Sequence, residues 1–367
     1  MKVTSVQLKN YRNYADLSLD FSEGTNVICG NNAQGKTNLL ESIYYCGATK
    51  SFRSVRDKNL VNFGAKRFEI ALGYTSQGRE QTIRFRAGEG PREIYHNEVK
   101  KSAAAQMIGQ FLCVLFAPEH LNLIKEGPVQ RRKFLDVALC SLKPSYFQAL
   151  IAYQKIISQK SQGLHQIDKG KCNRQMIEIY NQQLAKFGAV LIANRYEYCA
   201  LLQEKARQFH LEISGGKEEL TIVYEQHEQV QFGRPAEMEN ALLSRLEENI
   251  SREIASGICL TGPHRDKIAI SVNGQSARLY GSQGQQRSCV LSMKLAEAEI
   301  IYTKTGEHPV ILLDDILSEL DPGRQNYIIR QMEKKQVILT TCEQAPSVMH
   351  TSARVFWVEN GTLTAKK

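Results

Sequence analysis

Lys36 and Thr37, preceded by Gly30-Asn31-Asn32-Ala33-Gln34-Gly35, complete the pattern G-x-x-x-x-G-K-[ST]. Glycines at the two ends of such a loop let its backbone N–H groups wrap around a polyphosphate. The lysine reaches the outer phosphates, and the threonine hydroxyl ligates Mg²⁺. Every position from Gly30 to Thr37 is therefore a candidate nucleotide contact. The pattern carries weight only between a strand and a helix. Here the strand-like run Thr25-Asn26-Val27-Ile28-Cys29 precedes it, and the helix-like Asn38-Leu39-Leu40-Glu41-Ser42-Ile43 follows. The positive N-terminal end of that helix adds to the attraction. The implied chemistry is binding of ATP or GTP with its metal.

A metal-bound triphosphate also needs a carboxylate. Val310-Ile311-Leu312-Leu313-Asp314-Asp315 is an apolar strand ending in two acids. Asp314 suits Mg²⁺, directly or through water, and Asp315 suits the task of orienting or deprotonating the attacking water. Ser318-Glu319-Leu320-Asp321-Pro322 follows closely. Upstream, Tyr280-Gly281-Ser282-Gln283-Gly284-Gln285-Gln286-Arg287 opens a helix-like stretch, 288–304. Ser, Gly and Gln at a helix N-terminus make a second phosphate-binding surface. A site filled by its own P-loop has no room for it. That surface is expected to serve the nucleotide of another subunit, in a head-to-tail two-fold sandwich.

The surrounding pattern shows which elements position these groups. Val6 and Leu8, then Leu17, Leu19 and Phe21, mark two alternating strands around Asn10-Tyr11-Arg12-Asn13. Residues 68–99 alternate again and read as an antiparallel meander. Phe111–Phe116 reads as a buried strand ending at Pro118. Gly127-Pro128 opens a helix from Val129 to Leu142. Residues 145–165 and 174–210 carry apolar residues at helical spacing. Their short joint, Asp168-Lys169-Gly170-Lys171, makes them an antiparallel hairpin, a stubby arm. From Leu220 the pattern turns strand-like, and after Gly262 an α/β core resumes. The expected organisation is an N-terminal head half over 1–120, a helical insertion over 121–260, and a C-terminal head half over 261–367.

A chain of 367 residues, 42% hydrophobic, can bury a large core. No apolar run approaches the ~20 residues that span a bilayer. The opening Met1-Lys2-Val3-Thr4 does not resemble a signal peptide. Nine cysteines without a C-x-x-C pair favour buried thiols over a disulfide framework or a structural zinc site. A cytoplasmic location is expected. The net charge of +9 points to a polyanionic partner. Residues 144–210 carry nine Lys/Arg against four Asp/Glu, whereas 212–253 carry four against ten. Such blocks fit one face for nucleic acid and another for something else, or simply solvated helix faces.

Taken in order, the P-loop, Ser282–Arg287, Asp314-Asp315 and Ser318–Asp321 resemble an ABC-type ATPase head. The long helical insertion resembles the SMC-like branch rather than transporter subunits. Within that branch the chain resembles the RecF family of bacterial recombination mediators. The resemblance is carried by Leu8–Asn13, Lys50-Ser51-Phe52-Arg53, Phe116–Leu121, Gly127-Pro128 with Arg131–Asp136, and Thr261–Asp266. It implies an α/β P-loop core with an antiparallel β subdomain, joined to a mostly helical second domain with a short helical arm. Gly30–Thr37 would take the phosphates of ATP, Thr37 and Asp314 the Mg²⁺, and Asp315 the hydrolytic water. Ser282, Gly284 and Gln285 would cap the partner subunit's γ-phosphate. Arg12 resembles an arginine near the nucleotide in related heads. The resemblance further implies an ATP-dependent homodimer on single-stranded, duplex or gapped DNA. RecR and RecO are the implied partners, with RecA loading, replication restart and SOS induction as the outcome and DNA-dependent ATP hydrolysis slow.

Four departures from the general ABC pattern stand out. Gln283 replaces a signature glycine, and Asp315 is one methylene shorter than the usual glutamate. Leu339-Thr340-Thr341-Cys342 stands where a histidine is usual, with Thr341 able to hydrogen-bond a phosphate oxygen. Glu119 lies in the region of a missing glutamine. Two other functions make different demands. An SMC-like tether calls for a long coiled coil with a cysteine pair at its tip, and the joint here holds only Cys172. A transporter subunit calls for the histidine and a compact head.

Arg53, Arg56, Lys58, Lys66 and Arg67, with Phe52 and Phe63, form a candidate DNA-backbone surface. Lys155, Lys160, Lys169, Lys171 and Arg174 form another on the arm. Arg131, Arg132 and Lys133 are expected to be structural, pairing with Asp136 or nearby carboxylates. His264 and Arg265 follow a Gly-Pro turn, and Arg265 suits either DNA contact or a lock between the two lobes. Met176 and the arm aromatics are expected in the core.

Overall fold

The computed structural model describes residues 1–367 except 54, 168–169, 228–229, 343–352, 360 and 367. Two compact units emerge, one formed by 1–121 with 293–367 and the other by 122–292.

The first unit holds two six-stranded sheets. Strands β1 (Lys2–Tyr11) and β2 (Tyr14–Asp20) pair antiparallel, with Val6 opposite Leu19 and Leu8 opposite Leu17. Their alternation buries Val6, Leu8, Leu17 and Leu19 on one face, as a period of two requires. After β3 (Thr25–Cys29) and helix α1 (Lys36–Ala48), the chain adds β4 (Arg67–Ser76), β5 (Arg79–Gly88), β6 (Glu93–His96) and β7 (Val99–Lys100). Their order is β2-β1-β4-β5-β6-β7, the expected meander. Strand β8 spans Cys113–Phe116, beginning two residues later than the apolar run.

The second unit opens with α2 (Asn122–Lys125), α3 (Pro128–Leu142), α4 (Pro144–Leu164) and α5 (Arg174–Ile213). Helices α4 and α5 form the antiparallel hairpin. Gly163 near the end of α4 approaches Ile177 near the start of α5, and Tyr146 meets Arg195 at the other end. Of the expected joint, 168–169 lie outside the described residues. Met176 is exposed, because it occupies the first turn of α5 beyond the packed stripe that begins at Ile177.

Strand β9 (Leu220–Glu225) leads to two helices that the periodicity did not anticipate, α6 (Pro235–Glu248) and α7 (Ile250–Ser256). Pro235 at the first helical position starts α6, with Glu237 reaching back to accept from the Arg234 N–H at 3.1 Å, and Met238, Leu242 and Leu246 form its narrow buried stripe. Strands β10 (Lys267–Val272) and β11 (Gln275–Ser276) then join β9 in the order β11-β10-β9. The stretch after Gly262 thus pairs with the strand at 220–225. Return to the first unit comes at Met293, inside α8 (Gln283–Thr305), rather than at residue 261.

The first unit is completed by β12 (Val310–Asp314), α9 (Pro322–Gln331), β13 (Val337–Thr341), β14 (Arg354–Glu359) and β15 (Thr362–Lys366). Its second sheet runs β15-β14-β3-β13-β12-β8, with every neighbouring pair parallel except the edge strand β15. Strands β12 and β13 are buried at every position, as a sheet covered on both faces demands. Helix α1 packs on both sheets, bringing Leu39, Leu40 and Ile43 into one core with Phe68, Phe85 and Phe356. That core fixes α1, and with it the end of the P-loop, against both sheets.

Candidate nucleotide site

The loop between β3 and α1 bends through backbone angles that favour glycine. Gly30 has φ 154° and Gly35 φ 114°. A Cβ on Gly30 would stand 2.5 Å from the Val358 carbonyl oxygen, and one on Gly35 would meet the Asn13 amide at 2.4 Å. Asn13 clamps the loop, its Nδ2 donating to the Gln34 carbonyl at 2.8 Å, while the Tyr14 hydroxyl donates to Gly35 O at 3.0 Å. The β1–β2 turn therefore holds the phosphate loop in shape. Within it, Lys36 Nζ donates to Gly30 O at 2.6 Å and Asn31 O at 2.8 Å, and lies 3.3 Å from Cys342 Sγ.

Thr37 Oγ1 donates to Asp314 Oδ1 at 2.8 Å across 277 positions of sequence. Parallel pairing sets Thr340 of β13 opposite Asp314 of β12. The Thr340 hydroxyl donates to Asp314 Oδ1 at 2.9 Å and accepts from the Asp315 N–H at 3.0 Å. Thr340, rather than Thr341, is the hydroxyl that ties the two aspartates together. The sequence signal for it was a polar residue at the end of an otherwise apolar strand, decipherable only once β12 and β13 are known to be neighbours.

Burial raises the carboxyl pKa of Asp314 from its ordinary value, against the pull of the Thr37 and Thr340 hydroxyls. The nearby charge of Glu119 raises it further and that of Arg53 lowers it, so Glu119 belongs electrostatically to this site. Asp315 sits at φ 50°, a left-handed conformation rare for a residue with a Cβ. Among the described residues its Oδ1 is buried with no hydrogen-bond partner, and its Oδ2 lies 3.6 Å from Cys342 Sγ. Cys342 also reaches Asn32 Oδ1 at 2.8 Å, linking the P-loop to Asp315 from the end of the stretch 339–342, where ABC heads usually carry a histidine.

A hydroxyl and a carboxylate oxygen at this spacing, beside a lysine and a glycine-bounded loop, are the hard oxygen donors that suit Mg²⁺ on a triphosphate. Asp315 Oδ1, without a partner among the described residues, is an acceptor suited to a water proton.

Arg12 lies at the rim of this region. It makes a bidentate pair with Glu41 of α1, both bonds 2.9 Å, and Glu41 is fully buried. Ser51 donates to the same carboxylate at 2.5 Å, and Arg53 donates to Asn38 at 3.0 Å. An open cleft of about 670 Å³ adjoins, lined by Arg12, Asn13, Asn38, Lys58, Asn62 and a fully exposed Phe63. Arg53, Arg56, Lys58 and Lys66 are exposed, whereas Arg67 is paired with Glu93 at 2.8 Å.

Ser282, Gly284 and Gln285 come together at the start of α8 within the second unit. Gln285 N donates to Ser282 Oγ at 3.2 Å, and Ser282 N donates to Gln285 Oε1 at 2.9 Å, a reciprocal capping box. Gly281 must be glycine, since a Cβ there would lie 2.5 Å from Ala277 O.

Several basic residues proposed from sequence are structural. Lys160 is fully buried against Glu253 at 2.5 Å. Its helix turns it inward, so it cannot serve as a DNA contact, and Lys169 lies outside the described residues. Arg131 caps the carbonyls of Leu123, Ile124 and Ile268, and Arg132 caps that of Asp266. Asp136 pairs instead with buried Arg195 at 2.8 Å. His264 accepts or donates to the Tyr153 hydroxyl at 2.8 Å, and Arg265 donates to Cys259 O at 2.8 Å. Both lock the Gly262-Pro263 turn.

A P-loop threonine meeting a strand-end aspartate in a parallel sheet flanked by an antiparallel subdomain, with a helical insertion between its halves, defines an ATPase head of the ABC/SMC type. The family model described as "RecF/RecN/SMC N terminal domain" matches residues 2–364. The chain is 37% identical over 366 residues to the DNA replication and repair protein RecF of Clostridium novyi (strain NT), covering 99% of each. It is 38% identical over 367 residues to the RecF of Clostridium acetobutylicum, again covering 99% of each. A solved structure of the recombination mediator protein RecF with ATP, in the RecFOR pathway, superposes with a TM-score of 0.93 at 33% identity, over 100% of this chain and 98% of that one. An Smc head bound to the C-winged helix domain of ScpA shares the fold, with a TM-score of 0.58 at 16% identity over 100% and 97%. The chain belongs to the RecF family.

Proposed function

We propose that the chain is an ATP-dependent DNA-binding clamp of recombinational repair. ATP sits on Gly30–Thr37, with Lys36 turned to its outer phosphates. Thr37 and Asp314 would hold Mg²⁺, directly or through water, which would supply positive charge against the phosphates. Asp315 orients the attacking water. Ser282 and the first turn of α8 from a second copy cap the γ-phosphate, so that ATP drives dimerisation. The dimer grips single-stranded or gapped DNA, and slow hydrolysis releases it. RecR and RecO are the mediators it recruits for RecA loading, with replication restart and SOS induction downstream.

The observation that carries this reading is the Thr37–Asp314 contact at 2.8 Å, buttressed by Thr340 and beside the strained Asp315. These are the donors a Mg²⁺-triphosphate requires, assembled from opposite ends of the chain. The carboxylate of Asp315, one methylene short of a glutamate, supports slow turnover. The names and structures of the RecF relatives support ATP and repair as the setting.

Sedimentation mass, measured with and without ATP·Mg²⁺ and a gapped duplex, tests it. The expected result is a dimer that forms only with ATP, persists in Asp315→Asn, disappears in Ser282→Arg and tightens on DNA. A protein that stays monomeric throughout, or dimerises without nucleotide, overturns the clamp.

A further inference from the structure

Gln285 stands among the expected phosphate contacts, yet both ends of its amide are engaged. Oε1 accepts from Ser282 N at 2.9 Å, and Nε2 donates to Glu218 Oε1 at 3.0 Å. A carboxylate only accepts, so Glu218 dictates which way the amide points. With Nε2 facing Glu218, Oε1 must face the Ser282 backbone. Ser282 Oγ in turn accepts from Gln285 N at 3.2 Å, which leaves the hydroxyl hydrogen to donate elsewhere. The N–H groups of Gln283 and Gly284 lie in the first helical turn, where no intrahelical acceptor exists. The donors aimed outward are thus the Ser282 hydroxyl and this first turn.

Glu218 is itself anchored. It lies in the turn between α5 and β9, where its N–H donates to Ser214 Oγ at 3.2 Å. Its Oε2 is 3.3 Å from Nε2 of His210, a fully buried residue near the end of α5. His210 Nδ1 is 3.2 Å from Ser292 Oγ, which donates back to Ser288 O on α8 at 2.8 Å. Glu218 thus stands between the two helices, hydrogen-bonded to Gln285 of α8 and in close approach to His210 of α5.

We propose that Glu218 is a positioning residue of the signature. It fixes the Gln285 amide, and through it the capping box that presents the Ser282 hydroxyl and the first turn of α8 to the γ-phosphate of a second copy. Gln285 then acts through Ser282 rather than touching phosphate. This rests on the clamp reading, in which the signature works on another subunit's ATP.

Exchange of donor and acceptor tests it, read as ATP·Mg²⁺-dependent dimerisation by sedimentation. Gln285→Glu sets two carboxylates against each other. It is expected to weaken dimerisation about 10- to 100-fold near pH 8. The deficit, relative to the parent at the same pH, should shrink near pH 5.5, where one of two adjacent carboxylates takes a proton. Glu218→Gln combined with Gln285→Glu reverses the polarity of the same hydrogen bond and keeps a capping-box glutamate. That pair is expected to restore dimerisation to within about threefold at both pH values. Glu218→Ala is the companion variant should Gln285→Glu fail to melt cooperatively. It is expected to show a comparable loss without the pH dependence. Parent-like dimerisation in Gln285→Glu near pH 8 or in Glu218→Ala, or a double exchange no better than the single, overturns the role of Glu218. Ser282→Arg separates the two readings. If it dimerises as the parent does, the clamp itself falls; if it alone fails to dimerise, only Glu218 is dismissed.

Discussion

At the scale of single residues, geometry rather than residue type decides role. Thr340 and Thr341 are adjacent and chemically identical, but register sets Thr340 against Asp314. Thr340→Val removes a hydrogen bond to a carboxylate and the acceptor of the Asp315 N–H. We expect single-turnover ATP hydrolysis to fall at least about tenfold, with an equilibrium destabilisation of about 1–3 kcal/mol in urea. His264 illustrates a different effect. Burial pushes its imidazole pKa down from the usual 6.5 to about 4, so the folded chain holds it neutral. Between those values the unfolded chain binds the extra proton. Its contribution to stability is therefore complete above about pH 6.5 and is lost as pH falls towards 4, by about 3 kcal/mol in all. His264→Gln is expected to flatten that part of the pH profile, checked by urea midpoints at several pH values. The P-loop residues, both aspartates and Ser282 could be singled out as candidates because each sits in a short local pattern. Thr340, Cys342 and Glu218 were not, because nothing within a few residues of them marks the partner they meet.

At the scale of elements, the hairpin α4–α5 was plain from its 3.6-residue period, but not which lysines it turns inward. Lys160 lies on α4 at a position that packs towards α7, where Glu253 holds it and also accepts from Leu260 N at 2.6 Å and Thr261 N at 3.2 Å. Lys160→Met strands a buried carboxylate and is expected to lower unfolding free energy by about 3–5 kcal/mol. Adding Glu253→Gln, which keeps the acceptor for both backbone N–H groups and removes the charge, is expected to recover more than half of that loss. Urea denaturation of the two variants checks it. Helices α6 and α7 escaped notice for the opposite reason. Their acidic exposed faces read as a charge block, and only a narrow stripe of Met238, Leu242 and Leu246 is buried.

At the scale of the whole molecule, the exposed cations Arg56, Lys58 and Lys66, with the fully exposed Phe63, share the first unit with the nucleotide site. If they carry DNA, replacing the three cations with Gln should make the slope of log affinity against log salt shallower on duplex, by about 0.9 for each phosphate left without its cation. Phe63→Ala should weaken single-stranded more than duplex binding, because an aromatic face stacks on unpaired bases. Filter binding across a salt series reads both. The sequence by itself determined the family and singled out the candidate phosphate loop, the two aspartates and the Ser282 turn, since each is written in a strand–loop–helix or strand-end pattern a few residues long. What only the tertiary structure decided is where distant groups meet. The placement of β13 between β3 and β12 puts Thr340 on Asp314. Thr37 and Asp314 meet although residues 122–292, which lie between them in sequence, form a unit of their own. The inward turn of Lys160 removes it from the surface. Strand order and helix rotation are set by the sum of long-range packing, and no local spacing encodes that sum.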